Sequence, residues 1–320
     1  MAILTFTNFE NSIREEFLSF FPETWQKKEV IVRDVRKNNS LKKGLSILGP
    51  GDNGRPVPTV YLEDMYDTYL EETNKTGDPD AALDKVLNGY ASSYMTAYRS
   101  SKTGTGEKIL HVLEGCPVHP QLVPVQGNEE FLTGKVWDPF LDLAVIYRLV
   151  MDATNGGVAS VVVTEALMKS LGLTREELRQ KAMTDRPLGK TKMINLGKMI
   201  LDVTPDFILE TLDRNYVQGL ENSNMTIITN DSGLNGASEM LHKELFRQLA
   251  EEFDDNLVIL PSSVHEVITL PESECPTNHP EEMRDMVKDV NYNSGSVAPE
   301  NRLSDSVYRY NRETNEFEIM

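Results

Sequence analysis

The chain has 320 residues, enough for one large domain or two ordinary ones, and at 39% hydrophobic and 26% charged it is expected to fold around a packed core. Its 50 acidic and 32 basic residues leave a net charge of −18, which repels phosphate backbones and excludes general nucleic-acid binding. No run of about 18 apolar residues is available to span a membrane, and two cysteines, Cys116 and Cys275, exclude a disulfide framework.

From the N-terminus, "MAILTFTNFENSIREEF" turns acidic at once and is not expected to be a secretory signal, so a cytoplasmic protein is expected. Phe6, Phe9, Ile13, Phe17 and Phe20 recur at helical spacing up to Pro22. Two extended runs in "EVIVRDVRKNNSLKKGLSILGPG" flank Asn38 and Asn39, which tolerate the positive φ of a hairpin turn. "GPGDNGRP" is a loop by composition, and "PTVYL" is a short strand. A helix follows with Met65, Tyr66, Tyr69 and Leu70 on one face, and then a second, capped by Asp78 with Pro79 at its first position.

The stretch "RSSKTGTGEK", residues 99–108, has no apolar residue and is the expected linker between an N-terminal subdomain (1–100) and a C-terminal domain (109–320). Beyond it "KILHVLEG" reads as a strand, and Val123 to Lys135 shows no clear period. "DLAVIYRLVM" and "ASVVVT" read as strands paired across "DATNGG", within a long apolar stretch broken by Asp142 and Arg148. Thr164 opens a helix, and Thr174 with Glu177 forms a capping box for another ending near Ala182. "MTIIT" is a strand, and "NDSGLNGA" leads into a long helix striped by Met240, Leu241, Leu245, Leu249 and Phe253. "NLVIL" is a further strand, and the tail "SVYRYNRETNEFEI" reads as a hairpin turning at "RETN". The sum is an α+β (mixed α/β) protein with antiparallel or mixed sheets, packed helices and hairpins near both ends.

Chemistry concentrates in "LPSSVHEVITLPE", residues 260–272. Ser262, Ser263, His265 and Glu266 form a candidate catalytic cluster in which His265 is the acid/base, Glu266 its partner and a serine the hydrogen-bond donor. On a regular strand Ser263 and His265 stand about 6.6 Å apart at about 3.3 Å per residue. A nucleophile and its base need about 2.6–3.2 Å, so a dyad requires a bulge. The same residues also suit a strand corner whose serines satisfy backbone groups, or the capping box of a brief helix. Lys37, Asn38 and Asn39 in "RKNNSLKKG" are candidate ligand contacts for a phosphate or carboxylate, or the solvated tip of a hairpin. Asn235 and Gly236 in "NDSGLNGAS" precede a helix and offer a weak anion site, without the P-loop lysine or the dinucleotide glycine spacing. Cys116 with His119 ("CPVHP") and Cys275 with His279 ("CPTNHP") hold the ligand types of a Cys2His2 zinc site, but the interval between the halves is unlike a zinc finger. No cofactor is otherwise expected. H-E-x-x-H, G-x-S-x-G and the kinase set are absent.

As an ordered set, "RKNN" with "GLSI", "PTVYL", "FLDLAVIYRLV", "TIITND…NGAS", "LPSSVHEVI" and "VAPENRLSDSVYRY" resembles a family of uncharacterised proteins, a domain of unknown function, from clostridial gut bacteria and their integrative elements or phages. The resemblance runs from about Phe6 to Tyr310. It implies a bacterial cytoplasmic setting accessory to a mobile element, and supplies no mechanism. Its polar signature adds Asn230 and Asp305 to the candidates above. Three functions stay open. The first is a non-catalytic acidic protein acting through protein–protein contacts. The second is a small-ligand binder, or a hydrolase or transferase, built on the Ser-Ser-x-His-Glu motif. The third is a DNA mimic, which requires one strongly acidic face.

Overall fold

A computed structural model describes residues 2–50, 52, 57–100, 106–154, 157–261, 263–277, 279–293, 295 and 297–320. The chain divides into two units, Met1–Val112 and Leu113–Met320. Much of the "GPGDNGRP" loop, residues 101–105 of the expected linker, the tip of the "DATNGG" turn and Ser262 lie outside the described residues.

In the first unit, the Thr5 side chain accepts from the Asn8 amide and starts α1 (Phe6–Glu16), which tightens into a 3-10 turn over Phe17–Phe20 before Pro22. β1 (Glu29–Lys37) and β2 (Ser40–Leu48) form the expected hairpin, with Lys37 opposite Ser40 and Asn39 at φ 52°. β3 (Val60–Tyr61) pairs antiparallel with β2. α2 (Leu62–Thr76) ends in Gly77 at φ 70°, and the Asp78 carboxylate accepts from the Asp80 and Ala81 amides to open α3 (Pro79–Ser100). The helices bury Phe9, Ile13, Met65, Tyr69 and Tyr94 against Leu45 and Ile47 of the sheet. The buried Tyr94 hydroxyl is satisfied: it accepts from the Ile47 amide at 2.7 Å and donates to the Pro58 carbonyl at 3.0 Å.

Residues 106–114 form a helix, α4 (Gly106–Glu114), where the sequence suggested a strand. Its apolar residues serve a helical face, with Leu113 buried and Val112 59% exposed.

The second unit holds two sheets. β4 (Val118–Pro124) lies on one edge of the long β6 (Leu143–Thr154). On the other edge lie β5 (Trp137–Phe140), reached through α5 (Glu129–Leu132), and then β7 (Gly157–Val162), all pairings being antiparallel. α6 (Glu165–Ser170) and α7 (Arg175–Thr184) follow, the latter with the expected Thr174–Glu177 capping box. β8 (Thr191–Asn195), α8 (Leu196–Val203), α9 (Asp206–Leu209) and α10 (Arg214–Glu221) lead to β9 (Thr226–Asn230). The expected long helix is two pieces: a 3-10 helix over Gly236–Leu241, and α11 (Lys243–Phe253) after a break at His242, whose φ −88°, ψ 73° is not helical. β10 (Leu257–Leu260), β11 (Val267–Pro271), α12 (Pro280–Tyr292), β12 (Tyr308–Asn311) and β13 (Glu316–Ile319) complete the chain. The second sheet is antiparallel in the order β13-β12-β10-β11-β9-β8. The protein is therefore mixed α+β, with hairpins near both ends. No helix among the described residues is long and apolar enough to cross a membrane.

Asp142, an odd charge in an apolar run, is explained by the fold. It accepts from the hydroxyls of Ser304 (2.8 Å), Ser306 (2.9 Å) and Tyr308, fastening the "LSDSVY" block to the turn before β6. Burial, with the Asp142 charge adding, pushes the Tyr308 phenol well above its usual range.

Candidate functional site

The "LPSSVHE" motif is the loop of the β10–β11 hairpin, in which Leu260 pairs with Ile268. It is not one extended strand, so the regular-strand spacing of Ser263 and His265 does not apply. Ser263 is 4% exposed and bridges to Arg302. Its hydroxyl accepts from the His265 amide at 3.0 Å and is not hydrogen-bonded to the imidazole. Val264 is stitched on both sides, its amide donating to the Asn301 carbonyl and its carbonyl accepting from the Ala237 amide. Glu266 is half-buried and precedes β11; no described residue bonds or ion-pairs with its carboxylate.

The fold brings this motif to "NDSGLNGAS". Asn235 adopts a left-handed conformation (φ 52°), and its amide donates to His265 Nδ1 at 3.2 Å. That bond leaves His265 Nε2 carrying the proton when the ring is neutral. Thr229 donates to the His265 carbonyl at 2.8 Å. Gly236 is required by this approach: a Cβ there would lie 2.2 Å from Thr229 Oγ1 and 2.4 Å from the His265 carbonyl oxygen. Ser263, His265, Asn235 and Gly236 thus share one junction, while the relation of Ser262 to it falls outside the described residues.

The remaining candidates have settings of their own. Lys37, Asn38 and Asn39 sit at the hairpin tip of the first unit, where Lys37 Nζ stands 4.6 Å from the Tyr61 ring centroid. Cys116 is buried before β4 and His119 within it; burial pushes the Cys116 thiol up. Cys275 follows β11 and its thiol is pushed up to about 11, first by burial and then by the charges of Glu272, Asp255 and Glu274. His279 is exposed before α12. These four do not form a metal-holding group, and no such group occurs among the described residues. Asp305 accepts from Asn291 Nδ2 at 2.8 Å and from the Tyr292 hydroxyl at 3.2 Å, an anchor for the end of α12.

The sequence reading missed a groove of about 390 Å³ in the second unit. Its floor is Met225, Leu260 and Leu270 from the sheet, and its walls are Gly219 and Asn222 from α10 and its end, and Met283 and Met286 from α12. Met283 is buried, whereas Met286 is 52% exposed and continues into Val290 one turn later. Apolar residues of α8, α9 and α10 are also uncovered: Val203 is 73% and Phe207 70% exposed, and Tyr216 is exposed as well. Carboxylates outnumber cations on the elements that carry this surface. Glu274 lines the groove; α12 carries Glu281, Glu282, Asp285 and Asp289 against Arg284 and Lys288, which pair with Glu281 and Asp285; and between residues 196 and 221 Asp202, Asp206, Glu210, Asp213 and Glu221 outnumber Lys198 and Arg214. The signal was present as three methionines at 225, 283 and 286, but from separate elements. Contiguous exposed apolar surface rimmed by polar residues marks an interaction site.

No curated protein and no solved structure matches the chain. One family model does, over residues 6–312, nearly the whole length, and the chain belongs to that family of unknown function, DUF5688.

Proposed function

We propose that the protein acts through protein–protein contacts, as an accessory or regulatory factor of the mobile-element kind that the sequence resemblance implies, and that its partner presents a basic amphipathic helix. The groove between α10 and α12 carries this reading. Methionine side chains are unbranched and polarisable and adapt to varied apolar knobs, and a groove between helices suits an amphipathic helix laid along it. The carboxylates on both walls select lysine and arginine flanks and repel acidic segments, which supplies specificity and a fast on-rate.

The test is fluorescence anisotropy with a labelled Lys/Leu amphipathic peptide carrying one Trp, titrated with the full chain. Micromolar binding is expected, weakening as salt rises and reduced at least tenfold by Met286→Asp. An otherwise identical peptide with Glu in place of Lys is expected not to bind. Unchanged binding by the variant would overturn this reading. So would a self-associated chain whose dimer is broken by the same substitution, or uptake onto anionic lipid vesicles through the same face.

The small-ligand reading has one observation in its favour, the convergence of His265 with Asn235 and Gly236. With Ser263 bonded to backbone, His265 is the group through which that site would act.

A further inference from the structure

The groove between α10 and α12 carries more sulfur than the composition of the chain accounts for. With 13 methionines in 320 residues, fewer than one is expected among ten, yet the ten residues that line the groove include Met225, Met283 and Met286. Leu260 and Leu270 supply apolar floor to the same cavity without sulfur, so burial of apolar surface does not by itself call for thioethers. A methionine adds adaptability, which suits a docked helix, and a sulfur that takes up oxygen reversibly.

The three sulfurs differ in how far they meet solvent. Met286 is 52% exposed, whereas Met283, one turn earlier on the same side of α12, is 3% exposed. Met225 is half-buried and packs against the cluster of Val258, Leu270, Met283, Val287 and Val307. Met286 is therefore the groove sulfur that a small oxidant reaches first. Neither cysteine is disposed to take that oxidant instead. The reactive form of cysteine is the thiolate. Burial holds both Cys116 and Cys275 as thiols, the latter pushed up to about 11 with the charges of Glu272, Asp255 and Glu274 adding. Met151, Met183 and Met193 are exposed as well, but none of them lines the groove.

We propose that Met286 is an oxidation site through which a peroxide closes the groove to its partner, an inference that rests on the groove being the docking surface. The Met286 sulfur attacks one peroxide oxygen. The S–O bond forms as the O–O bond breaks, and the second oxygen leaves as water. The sulfur loses an electron pair and the peroxide gains it. The product is a sulfoxide, which replaces an apolar thioether by a polar hydrogen-bond acceptor. A helix seated over it strips water from that oxygen, and an acceptor left unpaired weakens the complex. Methionine sulfoxide reductases reverse the step with a dithiol: the oxygen leaves as water, the dithiol closes to a disulfide and the thioether returns.

The full chain is treated with hydrogen peroxide, desalted, and its sulfoxides mapped by peptide mass spectrometry. The labelled Lys/Leu peptide is then titrated by fluorescence anisotropy against untreated chain, treated chain, and treated chain repaired by both sulfoxide reductases. Sulfoxide is expected at Met286 well before Met283, with affinity falling about tenfold as Met286 converts and returning on repair. In Met286→Leu the quantity read is the change on peroxide treatment, whatever the starting affinity, and it should stay under about twofold. An untreated chain that does not bind the peptide defeats the docking reading and this inference with it. A chain that binds before treatment, and equally well once Met286 is oxidised, overturns the inference alone. So does an equal loss in Met286→Leu, which assigns the sensitivity to another methionine, or oxidation of Met283 as fast as Met286.

Discussion

His119 shows how far one side chain's setting differs from that of an exposed imidazole. Burial, followed by the positive charges of Arg148 and Arg186, lowers its pKa from 6.5 to about 4, against the opposing pull of Asn235. Below pH 6.5 the unfolded chain takes up a proton that the folded chain refuses, so its contribution to stability is complete above 6.5 and is lost progressively as the pH falls towards about 4. At about 1.4 kcal/mol per unit the loss is of order 3 kcal/mol. His242, also lowered by burial and by Arg186, acts in the same direction. Urea midpoints measured from pH 7 to pH 4 should fall for the natural chain, and His119→Leu should flatten the curve over that window. An equally steep curve in the variant would assign the dependence to other groups.

At the scale of elements, Gly236 and Gly89 make a contrast that chain position does not reveal. Gly236 begins the 3-10 helix where β9 and the β10–β11 loop meet, and a Cβ there would also come within 2.8 Å of Thr229 Cα. Backbone on that side has nowhere to retreat, so Gly236→Ala should destabilise by about 1–3 kcal/mol. Gly89 lies inside α3 with nothing within 4 Å of the added methyl, so Gly89→Ala should stabilise by about 0.5–1 kcal/mol. Chemical denaturation of both variants checks the pair, and equal effects would show that the packing at Gly236 yields. Much at this scale was legible in the sequence: the Asn38–Asn39 hairpin, the Asp78 cap, the Thr174 capping box and the terminal hairpin all carry their signals within a few residues. What was not legible depends on partners distant in the chain. "KILHVLEG" suits either period, and only packing on Leu113 decides for the helix. "LPSSVHE" looks extended until Leu260 is seen to pair with Ile268. The opposition of His119 and Arg148 exists only in the β4–β6 register. Residues 196–221 fold as three short helices of eight, four and eight residues, too brief for a helical period to stand out in the sequence.

At the scale of the whole molecule, three clusters of buried side chains each draw their members from one unit. The cluster around Phe9, Leu45, Met65, Tyr69 and Tyr94 draws every member from residues 4–98, and those around Ile146 and Val258 draw theirs from residues 123–162 and 225–320. A unit that buries its own core has the means to fold alone. Residues 113–320 expressed without the first unit should therefore unfold cooperatively in urea. They also contain the whole α10–α12 groove and its carboxylates. If the partner helix is read there, the fragment should bind the basic amphipathic peptide within about threefold of the full chain, a difference under about 0.7 kcal/mol. Its salt dependence should be the same, since the charges that attract the peptide all travel with the fragment. A fragment that unfolds cooperatively yet has lost the peptide would place part of the recognition surface on residues 1–112. A fragment without a cooperative transition would instead show that the second core depends on the first.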